Sequence, residues 1–362
     1  VEKEGIVNSL KIYNSYDEAN KTLENLNSVF KLIHVDESIK YIFPKQPFTT
    51  SLLLYESKVN FGFSIQKTTS IIQKLYEGVQ LNIENKKKRI SLITYPRTDS
   101  SRINKSFSFQ IFSLISEKWG KELFKLPKIN PSKRRNVQDA HEAIRPTYLK
   151  YKPDELKNYD LEEDFIKVYE MIYNNTITAF MRPIKYCDKI YYYSNDKRYF
   201  GIEEKVLIEK GFLTLGYGNF SKYGLVDNSQ FENFTNIEIN KDSLNVEKNE
   251  DDAPKRYSEG SLIKKLEVLG IGRPSTYNTF TRIILKRRYS LLDKKSTFIP
   301  TEMGFKVNDW LQENFSSIIN ENYTAFLEEQ LDEISNGKNT YLNFINGFWK
   351  DFSERYKLAG GE

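Results

Sequence analysis

The feature that most limits the fold is a change of pattern along the chain. Between residues 184 and 248 the sequence reads as strands. Ile190-Tyr-Tyr-Tyr193, Tyr199-Phe-Gly-Ile202, Lys205-Val-Leu-Ile208 and Ile237-Glu-Ile239 are β-branched or aromatic runs parted by Gly, Asn and Asp. On either side the pattern is helical. From about Ser51 the chain turns helical, and over 64–77 Ser64 is placed to cap while Ile65, Ile72 and Tyr76 line one side. Gln66, Ser70, Gln73 and Glu77 form a neighbouring polar stripe, the ordinary look of a solvated flank. Residues 1–46 mix short polar and apolar stretches, and Pro44 to Pro47 reads as a linker or strand exit. Asn249-Glu-Asp-Asp-Ala-Pro254 reads as an exposed acidic connection. Helical pattern resumes at Ser258, with Leu262, Leu266 and Leu269 as a stripe. Gly270 and Gly272 break it, and Ser275 is placed to cap a second helix running to about Arg288. Two helices about a tight Gly turn resemble a helix-turn-helix element. No internal repeat is present. A chain of 362 residues exceeds one compact core, so two or three domains of a multidomain α+β protein are expected.

Composition narrows the function classes. No apolar run approaches the roughly 20 residues that span a bilayer, and no basic stretch with an apolar core marks a secretory signal at the start. Cys187 is the only cysteine, which excludes an internal disulfide and a multi-cysteine zinc site. The net charge of +5 is small, but its distribution is uneven. Residues 82–105 carry Lys86, Lys87, Lys88, Arg89, Arg97, Arg102 and Lys105 against Glu84 and Asp99. Residues 264–295 are similarly basic, whereas acids outnumber bases eleven to five over 301–362. Clustered cations opposed by an acidic tail suit a face that meets phosphate; a solvated Lys-rich surface gives the same count.

Three segments carry chemistry. In Ser91-Leu-Ile-Thr-Tyr95-Pro96-Arg97-Thr98-Asp99-Ser100 an apolar run delivers Tyr95 to a cationic stretch. Pro96 biases Tyr95 towards an extended backbone, which would project Tyr95, Arg97 and Asp99 to one side. A phenol beside a guanidinium suits phosphoryl transfer. The arginine holds phosphate oxygens, and the phenol, protonated at neutral pH, needs a base or nearby positive charge to attack phosphorus. Taken alone, the segment is also an ordinary turn at a strand end.

In Gln138-Asp139-Ala-His141-Glu142-Ala-Ile-Arg145-Pro146-Thr147 the Asp139 and Glu142 spacing fits a capping box, and Pro146 ends a helix of little more than one turn. His141 and Arg145 would share one face of that helix, ready for an anion or simply solvated. A zinc-protease reading fails, because Arg145 stands where His-Glu-x-x-His needs histidine. In Gly270-Ile-Gly272-Arg273-Pro274-Ser275-Thr276-Tyr277, helix-start N–H groups, hydroxyls and Arg273 make a plausible phosphate site, although most such turns bind nothing.

Together these segments closely resemble the type IA DNA topoisomerases. Ile93-Thr-Tyr-Pro-Arg-Thr-Asp-Ser100 is similar to the family's active-site tyrosine motif, and Ala140-His-Glu-Ala-Ile-Arg-Pro-Thr147 to its His-Glu-Ala-x-Arg-Pro motif. Residues 258–277 resemble its helix-turn-helix-like block for single-stranded DNA. Lesser echoes (Pro47-Phe-Thr-Thr-Ser51, Gln73-x-Leu-Tyr-Glu77, Pro300-Thr-Glu-x-Gly304) follow in the family's order over residues 47–335. The Arg-Pro-Ser-Thr-Tyr block favours the bacterial topoisomerase I branch, while Pro96 is more usual in the topoisomerase III branch.

The resemblance implies that Tyr95 is the nucleophile of a transient single-strand cut, forming a 5′-phosphotyrosyl link, and that Arg97 contacts the scissile phosphate. Gln73, Glu77, Thr98, Asp99, His141, Arg145, Arg273, Ser275 and Thr276 would line the DNA site. It implies strand passage that relaxes negatively supercoiled DNA, a monomer, single-stranded or underwound DNA as partner, no membrane, and a cytoplasmic, nucleoid-associated protein. It also implies a β-rich arch domain from residues 1–50 and 183–250, a helical domain over 51–182 bearing Tyr95, and a helical ring-base domain over 251–362.

There are two departures. Residues 78–92 form a longer stretch than usual, with the Lys86 to Arg89 run inside it. The family's N-terminal TOPRIM domain, which binds Mg²⁺ and supplies a general acid–base glutamate, has no counterpart, and Val1 replaces an initiator methionine. A fragment is therefore expected, with no metal of its own and no relaxation activity alone.

Overall fold

The computed structural model describes residues 15–83, 86–128, 141–195, 198–216, 220–227, 239–243 and 254–360. In chain order its principal elements begin with α1 (Tyr16–Glu24), β1 (Val29–Ile42), α2 (Thr50–Phe61), α3 (Ile65–Glu77), β2 (Val79–Ile83) and β3 (Lys86–Ile90). Next come α4 (Lys105–Lys118), α5 (Pro153–Leu156), α6 (Glu163–Thr178), β4 (Ile184–Asn195), β5 (Arg198–Glu209), β6 (Leu225–Asp227) and β7 (Ile239–Asn240). The chain closes with α7 (Glu259–Leu269), α8 (Tyr277–Lys286), β8 (Ser290–Leu292), β9 (Phe298–Pro300), α9 (Glu302–Phe315), α10 (Glu321–Ser335) and α11 (Tyr341–Leu358). The fold is α+β and clusters into two compact units.

The first unit, residues 1–45, 114–126 and 180–254, is built on a five-stranded sheet of order β6-β5-β4-β1-β7. Strand β4 pairs antiparallel with both β1 and β5, and only the β5–β6 pair is parallel. The runs Tyr199–Ile202 and Lys205–Ile208 are parts of one strand, because Glu203 and Glu204 stay in register opposite Ile190 and Lys189. Leu26, Phe30, Tyr191 and Tyr193 form its buried cluster, with Phe200 edge-on to Phe30 at 5.1 Å. The Asn195 side chain accepts from Asn27 N–H and donates to Asn27 C=O, both at 3.0 Å, tying the turn before β1 to the end of β4. Helix α1 and strand β1 were not separable in the mixed pattern of residues 1–46. Most of β1 is exposed, so its side chains do not alternate cleanly between apolar and polar. Of the run Ile237 to Ile239, only Ile239 lies within the described residues.

The second unit, residues 46–113, 127–179 and 255–362, is mainly helical. Thr49, Ser64 and Ser258 cap α2, α3 and α7, each accepting a backbone N–H three residues on. Leu54 of α2, Ile65 of α3, Ile263 of α7 and Tyr277 of α8 close one core cluster. Gly260 lets α7 approach α2: a Cβ there would stand 3.0 Å from Tyr55 Cα. Ser57 and Thr68 share a buried hydrogen bond of 2.8 Å between α2 and α3. On α6, Tyr169 and Tyr173 donate their hydroxyls to the Tyr151 and Leu149 carbonyls, fastening residues 149–151 to the helix.

Three local readings are corrected. The buried side of α3 is Ile65, Thr68, Ile71, Ile72 and Leu75, and Tyr76 faces outward. In α7 the fully buried residue is Ile263, not one of the leucine stripe. The residue at the α8 N-cap is Thr276, not Ser275.

Candidate active site

Tyr95 stands on a short extended segment clamped at both ends. Upstream, Leu92 and Ile93 are buried, and Leu92 N–H donates to Leu75 C=O at the end of α3. Thr94 N–H donates to Arg145 C=O at 3.0 Å, and its hydroxyl to Ala143 C=O at 2.7 Å. Downstream, the Thr50 hydroxyl at the start of α2 donates to Pro96 C=O at 2.7 Å and accepts from Thr98 N–H at 2.9 Å. Thr50 N–H donates in turn to Thr98 C=O. Pro96 and Thr98 are buried, and Tyr95 and Arg97, which precede them in turn, are exposed. Buried and exposed positions thus alternate with the period of an extended chain.

Residues 141–147 are extended, not helical. Their N–H groups go to other segments: Ala143 to Arg102 C=O, Ile144 to Phe48 C=O, Arg145 to the Thr94 hydroxyl and Thr147 to Leu92 C=O. A helix would need those donors for carbonyls four residues back. Asp139, and with it the expected capping box, lies outside the described residues. Glu142 instead accepts from Asn104 Nδ2 at 2.6 Å and from Arg145 Nε at 2.8 Å. Burial pushes its carboxyl up, but these bonds from Arg145 and Asn104 outweigh burial and hold it below the usual glutamate range. Arg145, only 8% exposed, sets its guanidinium 3.9 Å from the Phe107 ring centroid and donates to Pro146 C=O. His141 and Arg145 therefore do not share a face, and Arg145 works inside the protein.

His141 lies against the nucleophile candidate. Its ring stacks on that of Tyr95, with centroids 5.2 Å apart and planes 29° apart. Tyr76, at the end of α3, meets the Tyr95 ring edge-on at 5.5 Å. The phenol, 37% exposed, opens into a cleft of about 300 Å³ lined by Tyr95, Arg97, Asp99, His141, Arg273, Pro274, Ser275 and Asp332.

The far wall comes from the turn between α7 and α8. Gly270 and Gly272 both take positive φ, and a Cβ on Gly272 would stand 2.5 Å from Phe280 Cε2. The Thr276 hydroxyl accepts from Arg273 N–H at 2.9 Å, closing the turn. Arg273 Nη2 donates to Asp332 Oδ2 of α10 at 3.0 Å, and Nη1 to Gly272 C=O at 3.1 Å.

Of the residues singled out by sequence, Tyr95, Arg97, Asp99, His141, Arg273 and Ser275 line this cleft. Gln73 and Glu77 do not; they sit on α3 and bond to each other at 2.6 Å. Thr98 and Arg145 are buried, and the Thr276 hydroxyl is engaged within its own turn. Tyr76, Pro274 and Asp332 were missed. Tyr76 stood in the Gln73 to Glu77 motif, but its period assigned it to the core side. Asp332 lies 59 residues from Arg273, and no local pattern marks it. Among the described residues no group of three or more His, Cys, Asp or Glu side chains is placed to hold a metal ion.

A tyrosine, two arginines and a histidine thus share one cleft, on an extended segment that Thr50 of α2 holds in place. The sequence matches the DNA topoisomerase family over residues 4–346, and the chain belongs to the type IA DNA topoisomerases. It is 33% identical to DNA topoisomerase 1 of Mycoplasma genitalium over 358 residues, covering 94% of this chain and 48% of that protein. It is 38% identical to DNA topoisomerase 1 of Rickettsia prowazekii over 315 residues, covering 86% and 40%. The solved structure of full-length topoisomerase I from Thermotoga maritima superposes with a TM-score of 0.78 at 30% identity, covering 97% of this chain and 56% of that one. The chain thus spans about half the length of the curated relatives it matches.

Proposed function

We propose that this chain carries the strand-cutting half of a type IA topoisomerase, with Tyr95 as the nucleophile. The observation that carries the reading is the shared cleft: the exposed Tyr95 phenol opens into the same space as Arg97, His141 and Arg273. The Tyr95 oxygen attacks a backbone phosphorus, the P–O3′ bond breaks, and the 5′-phosphate stays on the tyrosine while the 3′ end leaves as a hydroxyl after taking up a proton. The phenol gives up its own proton in the same step. Arg97 and Arg273 stabilise the negative charge that grows on the phosphate oxygens. The Tyr76 edge and the His141 face fix the direction of the Tyr95 ring, so the attacking oxygen meets the phosphorus without a search. Reversal reseals the strand with no loss of bond energy.

In the whole protein this cycle would relax negatively supercoiled DNA with Mg²⁺ and acid–base groups outside these residues. The chain alone would bind an unpaired strand as a monomer without relaxing supercoils. No described helix is long and apolar enough to cross a membrane, and the DNA of the cytoplasm is the substrate this reading assigns.

The test uses oligonucleotides labelled at either end, incubated with this chain and a separately expressed TOPRIM domain. Denaturation should leave protein attached to the fragment that carries the 5′-phosphate at the break. Protein attached to a 3′-phosphate, the outcome of a tyrosine recombinase or type IB enzyme, contradicts the reading. A protein that binds the strand and never forms an adduct is a single-strand-binding scaffold in which Tyr95 only stacks on a base.

A further inference from the structure

Strands β2 and β3 form a two-stranded antiparallel ribbon inserted between α3 and the tyrosine segment. Its register pairs Gln80 with Arg89, Asn82 with Lys87, and Leu81 with Lys88. Cross-strand partners share a face, so Val79, Leu81 and Ile90 fall on one side, where Val79 and Leu81 are buried. The other side presents Gln80, Asn82, Lys87 and Arg89, all exposed, with Arg89 Nε donating to Gly78 C=O at 3.3 Å; Lys88 and Lys86, opposite Leu81 and Ile83 on the first side, are exposed as well. Neither strand contains an acidic residue, and no described carboxylate pairs with Lys86, Lys87 or Lys88. Four adjacent cations repel one another, and neither strand carries an acid to offset that cost; Glu84, between the strands, lies outside the described residues.

The ribbon's position gives the charge a use. Its exit is tied down by the Leu92 to Leu75 hydrogen bond, two residues beyond Ile90 and three before Tyr95. Six residues separate Arg89 from Tyr95, at most about 20 Å of extended chain. At a rise of roughly 3.4 Å per nucleotide of one B-form strand, that is about six steps. A strand seated at Tyr95 therefore has flanking phosphates within reach of the ribbon.

We propose that the cationic strand β3 of the ribbon, exposed along its length, is a second DNA contact, a sequence-independent clamp on phosphates flanking the strand held at Tyr95. It rests on the reading of the cleft as a DNA site. Lys86, Lys87, Lys88 and Arg89 neutralise phosphates, while Gln80 and Asn82 hydrogen-bond to phosphate and sugar oxygens. No base is read, because the ribbon offers point charges and amides on an open surface.

The experiment compares this chain with the K86Q/K87Q/K88Q variant and with K338Q/K350Q/K357Q, which removes the same charge from the acidic C-terminal stretch. Binding of a labelled oligonucleotide of about 25 nucleotides is measured across a salt series, alongside one of about six nucleotides that fills only the cleft. Three lost phosphate contacts should reduce the salt slope for the long strand by about 2, since each single-strand contact is worth about 0.7. The short oligonucleotide should bind the ribbon variant as it binds the unaltered chain. The inference is overturned if the ribbon variant keeps the parent slope, or if the C-terminal variant loses as much. A ribbon variant that self-associates while keeping its slope also overturns it, since the lysines then only guard a strand edge. If the unaltered chain binds neither oligonucleotide, the reading of the cleft fails as well; binding without a ribbon effect removes the clamp alone.

Discussion

The imidazole of His141 lies stacked on the phenol of Tyr95, 5.2 Å between ring centroids, although 46 residues separate them in sequence. The contact is made because residues 141–147 run extended beside residues 92–94, joined by the Ile93–Pro146 bridge and the Thr94 hydrogen bonds. A stacked pair of this kind is worth about 0.5–1.5 kcal/mol beyond its buried area, enough to hold an exposed ring in one direction. His141→Ala should lower the yield of trapped covalent adduct by roughly ten- to a hundredfold, since small misplacements of a reacting group cost that much. His141→Phe, which keeps the stack, should recover part of the loss. Equal yields from the alanine variant and the parent would show that the ring contact does nothing for the reaction.

Arg145 is expected to act through stability. Its guanidinium is buried against Phe107 and bonded to Glu142, so Arg145→Ala should destabilise the second unit by roughly 2–3 kcal/mol, less than a fully buried pair because Glu142 is partly exposed. Denaturant unfolding measures it.

The Glu142 carboxyl is held below the usual glutamate range in the folded state, so its contribution has a definite sign with pH. It is present in full above the unfolded glutamate value and is lost as pH falls through the lower folded value. The gap in melting temperature between the parent and Glu142→Gln should therefore be widest near neutral pH and narrow as pH falls below the ordinary glutamate range. A gap that widened on acidification would contradict the assignment.

Gly272 and Gly62 separate strain from collision. Both adopt positive φ, but a Cβ at Gly62 meets nothing within 4 Å, whereas at Gly272 it would strike Phe280. Gly62→Ala should cost about 1 kcal/mol. Gly272→Ala should cost clearly more and weaken oligonucleotide binding by displacing Arg273. Thermal melts and binding isotherms on the two variants check both statements.

Asp332 neutralises one of the two arginines in the cleft while aiming it. Asp332→Asn should tighten single-strand binding by up to about fivefold, the value of a partly exposed ion pair near 1 kcal/mol. The same variant should lower adduct yield, because Arg273 loses its anchor. A parallel change in both quantities would show that Asp332 serves only one of these ends.

The parts of this site that were legible in sequence follow local rules. Pro96 and the alternation from Tyr95 to Asp99 set an extended segment that turns three side chains into one cleft, because a period of two needs no tertiary information. The glycines of the α7–α8 turn were readable for the same reason. Residues 141–147 were not: a pattern resembling a helix start yields to Phe48, Leu92, Thr94 and Arg102, which take up the backbone groups. Arg145 looked like an anion ligand because its partner Phe107 lies 38 residues away, and Asp332 left no trace because only the fold brings α10 to the turn. Strand β1 was hidden by its exposure, since a ribbon solvated on most of its surface carries no apolar period.

The central claim is that the Tyr95 oxygen receives the DNA phosphate. Adduct formed with a single-stranded oligonucleotide and the complementing TOPRIM domain can be denatured, digested with nuclease and trypsin, and analysed by mass spectrometry. Cleavage after Arg89 and Arg97 releases residues 90–97, whose only tyrosine is Tyr95. The account predicts a nucleotide mass on that peptide, and its disappearance in Tyr95→Phe. A nucleotide on any other peptide, or an adduct that survives the substitution, would contradict it.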